Sequence, residues 1–332
     1  MRWICVLTLA ALGLFPGDAA RGGEAGLRMF ASVFSVRGSV AGSSTGRFGA
    51  FIRNGDDTTW QMSSLSNVYS WGLAYFGGAS APRYYLAAGS GVQRSTDGGK
   101  SWRVLTDWRL MESLSILPDP VDSAVIYTST PGGVFRTRDD GVSWQGLHNG
   151  FRRPFVQSLA MDPRNRQVIY AAAEDDLYRS TDGGENWKAM GVGLSHVHSI
   201  LCSPAEPDRI IVGAEEWGVR LSSDGGGTWR DGAGTAGIPI YALASTPDGS
   251  AIYAAGWESG VLRSTDGGES WQKLGGTLGG MTILSLAVHP ENPRHLVAGA
   301  DGEGVYESLD GGQTWSRAGL MGAKVTAIRF YP

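Results

Sequence analysis

Beyond its first twenty residues the chain shows no helical periodicity, and its apolar positions fall in short runs broken by Gly, Pro, Asp and Asn. Runs such as VIYAAA (168–173) and IIVGA (210–214) are apolar at every position. That pattern suits strands covered on both faces better than a half-exposed sheet. One stretch divides completely into strands A to D: 155–161 (FVQSLAM), ended by Asp162-Pro163, then 168–173, 177–180 and 186–190. Strand A ends at a proline in the other units as well, at Pro118, Pro204, Pro247, Pro290 and Pro332. The missing N–H of proline marks the turn into strand B.

This four-strand plan recurs at a fixed interval. Trp60, Trp102, Trp144, Trp187, Trp229, Trp271 and Trp315 are separated by 42, 42, 43, 42, 42 and 44 residues. All but Trp60 close one phrase: RSTDGGKSW (94–102), RTRDDGVSW (136–144), RSTDGGENW (179–187), LSSDGGGTW (221–229), RSTDGGESW (263–271) and ESLDGGQTW (307–315). Short strands repeating at this period predict an all-β fold, a seven-bladed β-propeller of four-stranded antiparallel blades. The chain ends complete one another. After the last phrase only a strand A remains (325–331), and the N-terminal side supplies B (27–35), C (47–53) and D (58–65, with Trp60). A mixed closing blade therefore completes the ring and leaves no free sheet edge.

Composition changes this picture little. Fifty glycines, 42% apolar and 18% charged residues describe a turn-rich protein, and a net charge of −4 gives no basic footprint for nucleic acid. Residues 1–20 read as a secretion signal: Arg2 precedes the apolar stretch 4–15, and Gly17-Asp18-Ala19-Ala20 offers small residues for cleavage. That stretch is too short to anchor the mature chain in a bilayer. Residues 21–332 then form one domain, exported to the periplasm or beyond, and a monomer is expected. Only Cys202 remains in it, so no internal disulfide forms; it reads as a small buried hydrophobe.

The repeated phrase resembles the Asp-box, or bacterial neuraminidase repeat, S-x-D-x-G-x-T-W. In the third unit the matching residues are Ser180, Asp182, Gly184, Asn186 and Trp187. The first unit departs from it, with Arg53, Gly55 and Asp57 at the serine, aspartate and glycine positions. Physically the box is a C–D hairpin turn: the aspartate accepts backbone N–H groups, the glycines allow positive φ, and the tryptophan buries surface beside the turn. The loop of alternating acids with a closing glutamate that holds calcium is missing, so no metal or other cofactor is expected.

If the boxes occupy one face of the disc, the B–C turns and D–A connections occupy the other. The B–C turns begin small (GSG 89–91, PGG 131–133) and become acidic and aromatic (EDD 174–176, EEWG 215–218, WESG 257–260, DGEG 301–304). Candidate binding residues are Trp217, Trp257, Glu174, Asp176, Glu215, Glu216, Glu258, Asp301 and Glu303, with Asp175 beside them. The D–A connections add Trp108, Arg109, Glu112, His148, Arg152, Arg153, His196 and His198, a cationic sector facing the acidic one. Tryptophans at two hairpin tips suit a binding site, because aromatic anchors pack against protein and stack on sugars.

Three groups with this box suggest functions. Phe151-Arg152-Arg153-Pro154 is similar to the Phe-Arg-Ile-Pro motif of sialidases, but it follows the second box, and no arginine triad with a tyrosine–glutamate pair can be assembled. Xyloglucanase-type glycosidases resemble the chain in their seven-bladed Asp-box propellers, of which they have two. Exported single propellers, such as the photosystem II assembly factors, resemble it in size and layout and imply non-catalytic binding. The favoured expectation is therefore a binding or assembly propeller for a protein or glycan on the B–C face. The alternative is a glycoside hydrolase using a carboxylate pair of that face.

Overall fold

The computed structural model describes residues 27–331 apart from 37–47, 56, 78–81 and 207. The expected signal segment and Pro332 lie outside the described residues. Strands group into seven antiparallel sheets of four. The first blade is Ser70–Phe76, Arg83–Ala88, Gly91–Ser95 and Arg103–Val104. The fourth is Val197–Cys202, Ile210–Ala214, Gly218–Ser222 and Arg230–Asp231, and the fifth is Ile240–Ser245, Ile252–Gly256, Gly260–Ser264 and Gln272–Lys273. Each strand A touches the strand A of the next blade, and this succession of contacts closes on itself. The A strands therefore form the inner ring, around the channel that a propeller encloses.

The closing blade is built as the pattern predicts: Ala323–Tyr331 inside, then Arg28–Val36, Gly49–Asn54 and Gln61–Ser66. Met29 pairs with Phe330 and Ala31 with Ile328 across the join. Toward the first blade, Phe30 stacks on Tyr84 at 4.7 Å and meets Tyr331 edge-on at 5.6 Å. The hydroxyls of Thr326 and Ser32 both donate to the Ser70 carbonyl at 2.8 Å. Toward the sixth blade, Arg53 pairs with Glu307 at 2.8 Å, and Glu307 also meets His295 at 2.6 Å. Both flanks of the join are thus fixed by buried or half-buried contacts.

The boxes share one hydrogen-bond pattern. In the second, Thr137 Oγ1 donates to Asp139 Oδ1 at 2.7 Å, Gly141 N donates to Thr137 Oγ1 at 2.9 Å, and Ser143 donates to Asp139 through both its N–H and its hydroxyl. Two box tryptophans reach back to the preceding blade, Trp144 Nε1 donating to the Leu105 carbonyl at 3.0 Å and Trp187 Nε1 to that of Leu147 at 3.1 Å, while Trp102, Trp271 and Trp315 donate within their own turns. Trp60, in the degenerate unit, also reaches back, to the Ala318 carbonyl at 2.7 Å. Every complete box is therefore a turn lock, and two of them also tie neighbouring blades.

Some boundaries differ from the expected ones. In the third blade strand D is only Lys188–Ala189, because the box holds its own residues through Trp187 and pairing begins after it. Trp60 likewise precedes strand D. The first blade's strand A, Ser70–Phe76, runs to Gly77 with no proline at its end. Closing the ring does not remove every sheet edge, since each blade keeps an outer strand D, in most blades two residues long. Shortness is one way such edges avoid pairing with another chain. Cys202 is buried, and burial pushes its thiol well above the ordinary range.

Two outcomes follow. Removing 325–332 strips the closing blade of most of its inner strand, so the product should aggregate; a soluble monomer with unchanged thermal unfolding, measured by size exclusion and calorimetry, would refute this closure. The box carboxylates carry a pH dependence. The Ser143 hydroxyl and N–H hold Asp139, and the Thr314 hydroxyl and N–H hold Asp310, at about 2 rather than 3.8. A lowered folded value stabilises the protein above the unfolded value, and that stabilisation is lost as pH falls through the folded one. Thermal midpoints should therefore be flat above about pH 5 and fall from about pH 4 toward pH 2, less steeply in Asp139→Asn.

Candidate functional site

Antiparallel pairing sends the B–C turns to the end of each sheet opposite the boxes. In four successive blades the residue after strand B donates its N–H to the residue just ahead of strand A: Glu174 to Phe155 (3.1 Å), Glu215 to His196 (3.3 Å), Trp257 to Pro239 (3.0 Å) and Asp301 to Thr282 (3.0 Å). Three acids and a tryptophan therefore occupy one equivalent position beside the inner strands, at the rim of the channel. Gly89 fills it in the first blade, bonding Tyr69 at 2.9 Å.

The two tip tryptophans stand on neighbouring turns but not at equivalent places. Trp257 takes the rim position, whereas Trp217 sits two residues further on, where the fifth blade has the buried Ser259. Their exposures are 53% for Trp217 and 42% for Trp257, against 5–7% for the box tryptophans Trp187, Trp271 and Trp315. Glu258 is fixed by a backbone hydrogen bond to Thr282 Oγ1 of the next blade at 3.2 Å and has a positive φ of 48°. Glu216 is exposed at the fourth tip.

Other candidates are placed differently. Asp176 is buried, and its carboxylate accepts the N–H groups of Leu177 (2.8 Å), Gly191 (2.9 Å) and Val192 (3.0 Å). It is a turn clamp, with its acceptor capacity directed inward. Asp175 accepts from the Tyr178 hydroxyl at 3.0 Å. Glu174 pairs with Arg153 at 3.3 Å, Asp301 with Lys324 at 3.8 Å, and Glu303 with Arg317 at 3.7 Å. Of these three cations only Arg153 belongs to the expected cationic sector. Arg152 is exposed, and its backbone N–H bonds the Tyr178 hydroxyl at 3.2 Å. Trp108 is 76% exposed with the Arg109 guanidinium 4.8 Å above it, but both belong to the first-to-second blade connection, in another sector of the ring. Glu112 ties that connection to Gly89 at 3.1 Å, and His148 packs edge-on against Phe135 at 5.1 Å.

His198 is not in a connection at all. It lies inside strand Val197–Cys202 at a β-bulge, skipped between the pairs Val197↔Ala214 and Ser199↔Gly213. The same bulge skips Gln157 in the third blade and Tyr241 in the fifth. Bulges re-aim side chains. Here the His198 ring meets Tyr241 edge-on at 5.1 Å and lies 3.6 Å from the Glu215 carboxylate. The His198 imidazole, with His196 behind it, holds Glu215 below the ordinary carboxylate range. Burial pushes the Tyr241 hydroxyl up to about 12, and the charges of Glu215 and Asp301 add to this. Glu215, His198, Tyr241 and Asp301 therefore share one electrostatic environment at the rim. Tyr241 and Gln157 were missed in the sequence; the available signal was a polar or aromatic residue recurring at the second position of strands otherwise small and aliphatic.

A sequence profile of the BNR/Asp-box repeat matches residues 178–189, 262–273 and 306–317. The chain is a seven-bladed propeller of BNR/Asp-box repeats. Its fold is shared by the Niastella koreensis GH74 enzyme, at 17% identity and TM-score 0.62 over 78% of this chain and 45% of that one. It is shared equally by YCF48 bound to D1 peptide, at 18% identity and TM-score 0.61 over 79% of this chain and 86% of that one. In sequence, vacuolar protein sorting/targeting protein 10 of Pyricularia oryzae is 29% identical over 92 residues, 27% of this chain and 6% of that protein. The chain therefore covers less than half of the GH74 enzyme, and its aligned segment only a small part of the sorting protein. No helix among the described residues is long and apolar enough to cross a membrane.

The rim geometry separates structural from available carboxylates. Asp176→Ala leaves three amide donors without their acceptor and should cost about 2–3 kcal/mol, whereas Glu216→Ala at the exposed tip should stay within about 0.5 kcal/mol. Denaturant unfolding of both variants checks this, and equal effects would contradict the assignment.

Proposed function

We propose that the chain is an exported binding or assembly propeller that holds a protein or glycan on the face carrying the B–C turns. The observation that carries this reading is the pair Trp217 and Trp257, exposed on adjacent turns of one face while the box tryptophans serve blade packing on the other. Exposed aromatics beside polar groups are the usual anchors of recognition surfaces. Glu174, Glu215, Glu216, Glu258, Asp301 and Glu303 line or flank the same turns, with Arg152, Arg153, Trp108 and Arg109 as outlying contacts. The likeness to YCF48 bound to D1 peptide supports a binding role for this architecture.

The likeness to the GH74 enzyme favours a second reading, glycoside hydrolysis. A proton donor in that chemistry needs a carboxyl that keeps its proton near neutrality. Glu215, beside the channel histidine, is shifted the opposite way. Glu215 therefore does not suit the donor role, and the binding reading rests on the exposed tryptophan pair.

Alanine at both Trp217 and Trp257 should abolish retention of the natural ligand, screened on glycan arrays and by capture from native extract, while thermal unfolding stays unchanged. Retained binding by the double variant refutes the proposed face. Release of reducing sugar from β-glucans or sialosides, lost on an acid-to-amide change at the rim, would instead establish the hydrolase.

A further inference from the structure

The acids of the B–C face divide by whether the chain supplies their counter-charge. Glu174, Asp301 and Glu303 have Arg153, Lys324 and Arg317. Glu215, Glu216 and Glu258 have no Lys or Arg within ion-pair reach among the described residues, and they occupy the two turns that expose Trp217 and Trp257. Carboxylates without a Lys or Arg partner and exposed aromatic surface thus coincide in the fourth and fifth blades.

Below them lies a second, independent feature. His198 is 2% exposed, and neither of its ring nitrogens has a hydrogen-bond partner, although Nε2 is directed at Glu215 across 3.6 Å. Leaving such a buried polar group unsatisfied costs about 1–3 kcal/mol, so a group arriving over Glu215 has something to complete. A neutral sugar would answer the hydrogen bonding but not the charge, and an anion would be repelled. A guanidinium answers both: it is planar and always charged, it stacks on indole, and its five donors can serve a carboxylate with an N–H left for an imidazole.

Resting on the binding reading above, we propose that this sector takes an arginine side chain of a partner polypeptide, set between Glu215 and Glu258 against Trp257, with His198 as the floor. Trp217 packs on the flanking segment. Lysine, a point charge with a smaller stacking surface, fits less well.

The test is selection of a random heptapeptide phage library on the intact chain, followed by affinity measurement of the selected peptides by calorimetry. The expected result is a consensus with one dominant arginine. Its replacement by citrulline, Glu215→Gln or Glu258→Gln should each weaken binding about tenfold, and added salt should weaken it further. Glu206→Gln, in an A–B turn on the opposite face with Arg209 at 2.8 Å, should leave affinity unchanged. A consensus without a basic position, an affinity insensitive to Glu215→Gln and Glu258→Gln, or a library yielding no binder overturns the arginine assignment. If peptides lacking arginine still lose binding when Trp217 and Trp257 become alanine, the B–C face stands and only its ligand chemistry is wrong. Peptides indifferent to both tryptophans overturn the face as well.

Discussion

Everything in this propeller depends on the antiparallel pairing of Ala323–Tyr331 with Arg28–Val36. A ring of seven sheets is held by blade-to-blade packing, and each blade relies on neighbours at both flanks. If the two ends of the chain did not share a blade, the ring would open between the first and sixth blades. Two buried faces would then be exposed at once. The join is accordingly secured in chemically different ways on its two sides. An aromatic group of Phe30, Tyr84, Tyr75 and Tyr331 meets the first blade, and the Arg53–Glu307–His295 cluster meets the sixth. The first relies on burial and the second on charge, so no single solvent condition weakens both equally.

The boxes distribute the remaining load. Each aspartate accepts hydrogen bonds from its own turn, and most box tryptophans either bond a neighbouring blade or close on their own turn, as Trp271 does on Gly268 at 2.9 Å. These side chains are committed to structure, which is why they recur nearly unchanged around the ring. The opposite ends of the same sheets are under weaker demand: a B–C turn needs only to reverse the chain and bond its first N–H back toward strand A. Gly89, Glu174, Glu215, Trp257 and Asp301 all meet that demand. Side-chain identity there is free to vary, so these turns differ from blade to blade in charge and aromatic content.

The architecture was legible because its cause is periodic. A strand buried on both faces must be apolar at every position, a C–D turn of this type needs Asp and Gly at fixed places, and a tryptophan packed beside that turn must follow at a fixed distance. Each requirement leaves a mark in one dimension. The candidate site was legible only in part, because its residues share a face for topological reasons that a linear reading can follow, while their exposure and pairing are set by neighbours far away in the chain. Asp176 and Glu174 are two residues apart, yet one is clamped by three amides and the other stands at the rim beside Arg153. Nothing local distinguishes them.

His198 makes the division sharp. From sequence alone the chain determines seven repeats, their strands, the structural role of the seven periodic tryptophans and the two tryptophans, Trp217 and Trp257, that break the period. Those depend on local hydrogen bonding and on burial patterns with a fixed repeat. Only the tertiary structure decides that the inner strand begins before His198, and that a bulge within it sets the ring under Glu215 and against Tyr241 of the next blade. It also decides which acids already have a cation beside them. Both outcomes depend on distances between residues of different blades, and those exist only once the ring has closed.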